Sequence, residues 1–168
     1  WQIALASTTS PSVLALTRDA VPTVLRARQG RENLSSKGAY VVSGGDKRDV
    51  TILATGSEVA IAVEAAALLA KDGVHAAVVS MPSFELFREQ PGAYQDSVLG
   101  HGPRVAVAAA IAQGWHEWLR PGDRFIELQR VAGSQQIRRE LSPLERQLGL
   151  VGVDRGDAFH RDDAQFGA

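Results

Sequence analysis

The residue best placed for chemistry is Arg18. It closes Ser12-Val13-Leu14-Ala15-Leu16-Thr17, a run that reads as a strand. Open α/β sheets place their ligand crevice at the carboxyl ends of strands. A guanidinium there can clamp a phosphate through two parallel hydrogen bonds, although arginines at strand ends are also common as plain surface charges. A second candidate is Gly56-Ser57, at the start of an expected helix. Free N–H groups and the positive dipole end make such a position an anion site in some proteins. Here Glu58 already brings a negative charge and the turn holds no Lys or Arg, so capping is the preferred reading. Thr55 and Glu58 have capping-box spacing. The four histidines, His75, His101, His116 and His160, lack metal-ligand spacing on a credible helix. His160 does lie near Asp162 and Asp163, in a charged tail. No dinucleotide fingerprint, nucleophile elbow or Walker loop occurs.

The elements that must position these residues are legible as alternating patterns. Val50–Ala54 is a short apolar run suited to a strand buried on both faces. A helix follows with Val59, Val63, Ala66 and Ala70 on one side, ending at Asp72-Gly73, where Gly73 suits a left-handed cap. Val74–Ser80 returns as a strand, which makes a βαβ unit and implies a parallel sheet. Gly38–Ser43 reads as a strand that pairs with Val50–Ala54 as a hairpin. Short helices are expected at Phe84–Glu89, Ala93–Leu99 and Gln113–Leu119, and further strands at Arg104–Ala109 and Phe125–Leu128. Trp1–Ala6 reads as the end of a helix, Ala20–Lys37 as a linker, and Ile137–Leu148 as a helix interrupted by Pro143. The tail from Asp154 is expected to fray. The predicted fold class is α/β, a three-layer domain. Its five-stranded, mostly parallel sheet has strands near Tyr40, Ile52, Val78, Val105 and Ile126, helices on both faces, and one antiparallel strand near Tyr40.

Composition narrows the function classes. With 168 residues, 45% apolar content and a net charge of −1, one domain with a core and a short extra piece is expected. The 18 basic residues are scattered among acids, which argues against a nucleic-acid face. Absence of cysteine removes disulfide and thiolate chemistry and fits a reducing, cytoplasmic setting. No window has the apolar length of a membrane span, so no membrane partner is expected. Trp1 does not begin a signal peptide, and without an initiator Met the chain reads as part of something longer. Trp115, Trp118 and Phe125 are expected to form a hydrophobic cluster or contact surface, and Phe84, Phe87 and Tyr94 to be core.

Several segments together resemble transketolase. Pro11–Arg18 resembles the last strand of its pyrimidine-binding domain. Asp49–Glu58, with an A-T-G-S-E core, resembles the first βα unit of its C-terminal domain. Val78-Val79-Ser80-Met81-Pro82-Ser83, Ala93–Leu99, Arg104–Val107 and Gln113-Gly114-Trp115 continue the likeness in order, over roughly residues 1 to 126. Two departures stand out. Val107-Ala108-Ala109-Ala110 replaces a V-E-A-G pattern and loses a carboxylate. From Glu127 onward the pattern G-M-x-x-F-G-x-S-A-P is missing apart from Gly133-Ser134.

The resemblance implies residues 1–30 as the end of a pyrimidine-binding domain and linker. It implies 31–168 as the C-terminal domain, divergent from about 127. It also implies a transferase of the pentose phosphate pathway that moves a two-carbon ketol unit between phosphosugars, using thiamine diphosphate and Mg (or Ca) in a homodimer. Arg18 falls where the family contacts the substrate phosphate. The motifs that hold the cofactor and its metal do not occur in this sequence, so the resemblance assigns them to upstream domains. This chain alone is then expected to be silent, with no catalytic, cofactor or metal residue of its own. Two alternatives use the same pattern: a partner-binding module like the C-terminal domain of a 2-oxo acid dehydrogenase β chain, and the small subunit of a split transketolase.

Overall fold

The apolar runs behave as strands where each finds a neighbour. The computed structural model describes residues 1–17, 20–23, 33–45 and 47–128. Five strands are described: β1 Tyr40–Ser43, β2 Val50–Ala54, β3 Ala76–Ser80, β4 Arg104–Ala108 and β5 Arg124–Glu127. They form one sheet in the order β1-β3-β2-β4-β5. Only β1 is antiparallel, against β3; the β2–β3, β2–β4 and β4–β5 pairs are parallel. Every residue of β2 and β3 is buried, which is why both read as continuous apolar runs rather than alternations.

Helices cover both faces. α1 is Gln2–Ala6, and Gln2 Oε1 accepts from Asn33 Nδ2 (3.4 Å). α2, Glu58–Lys71, packs Val59, Ala62, Ala65 and Leu69 onto Ile52, Val78, Val105 and Val107. α3 Phe84–Arg88, α4 Gly92–Leu99 and the 3-10 turn Trp115–Glu117 cover the other face around Leu53, Val79, Phe87 and Ala106. α2 ends in a Schellman motif: Gly73 N–H donates to Ala70 O (3.1 Å) and Val74 N–H to Leu69 O (3.1 Å). Val74 and Leu69 are both buried and complete that cap in the core.

Several expectations are corrected. Strands β1 and β2 do not form a hairpin, because β3 lies between them. The connection crosses the amino end of β3, where Asp49 N–H donates to His75 O (2.7 Å). Gly44 permits that crossing: at φ 71° a Cβ there would stand 2.5 Å from Ala76 O. Ser12–Thr17 does not form a strand, and Val13, Leu14 and Leu16 are exposed. The buried face of α2 is turned relative to the expected Val59–Val63–Ala66–Ala70 line. Val63, Ala66 and Ala70 instead line a groove of about 330 Å³ beside Ser43, Lys47 and His75. The Thr55–Glu58 capping box is not made. Glu58 N–H donates to the Thr55 carbonyl (3.2 Å), and Ser57 is the N-cap without a side-chain cap bond. Residues 33–37 of the expected linker hold a 3-10 turn, Leu34–Lys37, capped by Asn33. The expected Gln113–Leu119 helix is only the Trp115–Glu117 turn. The expected helix at 137–148 and the tail lie outside the described residues.

Candidate functional site

The strand order fixes where a crevice can open. From β2 the chain moves out to β3, then crosses back to β4 on the other flank of β2. The switch point therefore lies beyond the carboxyl ends of β2 and β4. Thr55-Gly56-Ser57 and Ala109-Ala110-Ile111 border it. Ser57 Oγ donates to Glu58 Oε1 (3.0 Å). The other carboxylate oxygen stands 3.7 Å from where a Gly56 Cβ would be. A negative group thus lies over the positive end of α2, which stabilises the helix start and repels a phosphate. On the opposite side Ala109, Ala110 and Ile111 are exposed and carry no titratable group. Among the described residues no group of three His, Asp or Glu could hold a metal ion. This edge does not fit a diphosphate with its metal.

Arg18 and Asp19 lie outside the described residues. The stretch leading to them, Pro11–Thr17, is described and exposed, with Val13 94% and Leu16 71% accessible. The histidines are not brought together. His75 is half-buried at the amino end of β3, where its N–H donates to Asp49 Oδ2 (2.8 Å). His101 and His116 are exposed in separate turns, and His160 lies outside the described residues.

The aromatic residues form core, as their types suggested. Trp115 and Trp118 are buried. Phe84 meets Trp115 edge-on with ring centroids 4.9 Å apart, and Phe87 lies 4.9 Å from Trp118. Tyr94 keeps its hydroxyl bonded to Ala39 O (2.9 Å).

Two arrangements had no signal in the sequence. Arg88, at the end of α3, makes a bidentate pair with Glu117: Nε to Oε1 at 2.7 Å and Nη2 to Oε2 at 2.6 Å. Those hydrogen bonds hold the Glu117 carboxyl below its ordinary value and raise Arg88. The pair ties α3 to the 3-10 turn across the surface. The second is a set of arginines at the amino edge of the sheet. Arg48 donates to Ser97 O and Val98 O, and Arg104 to Gly100 O and Trp118 O. Arg120 donates to His101 O, Gly102 O and Asp123. Burial, with the nearby Arg120 charge, lowers Arg104 from its ordinary value. Arg48, Arg104 and Arg120 fasten the segment 97–102; apart from the Asp123 carboxylate on Arg120, their partners here are main-chain carbonyls.

Comparison with known proteins sets this fold in a family. Residues 38–140, more than half of the chain, match the transketolase-like TK C-terminal domain. A transketolase of Sinorhizobium medicae is 52% identical over 128 residues, covering 75% of this chain and 18% of that protein. One of Geobacillus stearothermophilus is 38% identical over 171 residues, 99% of this chain and 25% of that protein. The solved transketolase of Leishmania mexicana superposes with a TM-score of 0.59 at 28% identity, covering 68% of this chain and 19% of that one. The chain thus spans a fifth to a quarter of the length of these curated relatives. The mixed five-stranded sheet and the family match together establish that this chain belongs to the transketolase family, as its C-terminal domain.

Proposed function

We propose that this chain is the C-terminal part of a transketolase that transfers a two-carbon ketol unit between phosphosugars. The observation that carries the reading is 52% identity to a transketolase across only 18% of that protein's length. The remaining share leaves room for the cofactor-binding domains. Thiamine diphosphate would supply the carbanion chemistry when bound. No described residue is assigned to it or to its metal. In this reading residues 1–30 close a neighbouring pyrimidine-binding domain, 31–168 form a domain that supports a homodimer, and the protein is cytoplasmic.

Arg18 is the one residue of the chain assigned to substrate. It would bind the phosphate of the sugar, in a cleft whose other walls belong to upstream domains. The exposure of Val13 and Leu16 just before it supports the idea that this stretch pairs with segments outside the chain.

The test is steady-state kinetics of the whole protein with Arg18→Ala. We expect KM for a phosphorylated ketose to rise about tenfold or more, in line with loss of a charge-assisted hydrogen bond. kcat/KM for an unphosphorylated ketose should not change. Equal losses on both substrates, or none, would remove Arg18 from the phosphate site.

A further inference from the structure

Two buried polar atoms at the amino edge of the sheet have no hydrogen-bond partner among the described residues: Thr51 Oγ1 and Arg104 Nε. Thr51 and Arg104 are register partners in the parallel β2–β4 ladder. Alternation along both strands puts them on the face of Leu53 and Ala106, beneath α4. Arg104 donates its two terminal nitrogens to Trp118 O (3.0 Å) and Gly100 O (3.1 Å), and its Nε is buried. Arg48 reaches the same segment, with Nη1 on Val98 O (3.0 Å). Gly100 stands between them. A Cβ there would lie 2.9 Å from Arg48 Nη1 and 3.3 Å from Thr51 Oγ1. The Thr51 hydroxyl and the Arg48 and Arg104 guanidiniums therefore converge on Gly100, and Thr51 is fully buried. Trp118 Nε1 is likewise unpartnered, but that indole packs on Phe87 and is not assigned to the site.

We propose that this site binds one internal water molecule, which accepts from Arg104 Nε–H and bonds Thr51 Oγ1. Leaving a buried donor unmade costs about 1–3 kcal/mol for each group. A water with two to four polar partners removes that cost. The donors alone would also suit a small anion such as chloride. The surroundings select against it: α4 ends here, and its terminal carbonyls at Ser97 and Val98 already present negative charge to Arg48. A neutral water can accept from the guanidinium and still donate to a carbonyl. The water then joins β2 and β4 to the end of α4.

The sign of one substitution tests this. Thr51→Val in the full chain keeps the shape and removes the hydroxyl. If water links Thr51 to Arg104, the folded-to-unfolded ratio from urea titration falls about tenfold, because the water and the guanidinium lose a partner. If the hydroxyl is simply unpaired, the same variant holds or gains stability, and the proposal is overturned. A second measurement stands even where the variant fails to fold. Water-selective nuclear Overhauser spectra of the unaltered chain should show a long-lived water at the Arg104 Nε–H. No such contact, or stability that rises on titration with chloride but not with fluoride, would overturn it.

Discussion

Residues 11–17 and the strand β4 carry much the same chemistry and meet opposite fates. Val13, Leu14 and Leu16 lie in an exposed extended run, with Val13 94% accessible. Val105 and Val107 of β4 are completely buried. Both runs are apolar, and both read as strands in isolation. The difference is that β4 has β2 on one side and β5 on the other, while 11–17 belongs to none of the described strand ladders. A β-rich run supplies a preference for extended backbone and an apolar surface. The ladder and the burial that stabilise a strand come from its neighbours. In the proposed transketolase setting, those neighbours for residues 11–17 lie in the upstream domain.

The largest expected effect of this contrast comes from the core. Phe87 is fully buried and touches the rings of Tyr94 and Trp118. Phe87→Ala should lower stability by about 3–5 kcal/mol in urea unfolding. Leu16→Ala in the same chain should move it by less than about 0.5 kcal/mol, since Leu16 is 71% accessible. Similar losses in the two variants would break the comparison.

A smaller effect concerns the surface latch between Arg88 and Glu117. The folded state holds the Glu117 carboxyl below its ordinary value, chiefly through the hydrogen bond from Arg88. A depressed acid contributes stability above its unfolded value and loses it as pH falls through the folded one. The pair is solvent-exposed, so its contribution is small. Glu117→Gln should therefore be slightly less stable than the unaltered chain at pH 7, and the two should converge under acidic conditions below the carboxylate range. A gap that widens on acidification would contradict the assignment.

The same contrast explains what could be read from the sequence. The five strand positions were legible because each holds at least two adjacent apolar residues and is bounded by turn signals, and β2 and β3 are buried throughout. The pairing of β1 was not, since Gly44-Gly45 resembles a tight turn while Gly44 in fact lets the chain pass close over Ala76. The phase of α2 was ambiguous for a different reason. Alanines occupy so much of its surface that Val59–Ala62–Ala65–Leu69 and Val59–Val63–Ala66–Ala70 both satisfy helical spacing, and only the sheet selects the first. The Arg88–Glu117 pair joins residues 29 apart, beyond any local pattern. Arg18 was singled out by its place at the end of an expected strand. The structure shows no strand there and Arg18 lies outside the described residues, so its assignment rests on the resemblance of Pro11–Arg18 alone.

The central claim is that the chemistry of this protein lies in domains that the chain completes but does not contain. Ketol transfer from a ketose phosphate to an aldose phosphate, assayed with thiamine diphosphate and Mg²⁺, tests it directly. The account predicts turnover by the whole protein and none by the 168-residue chain alone; transfer by the isolated chain would contradict it.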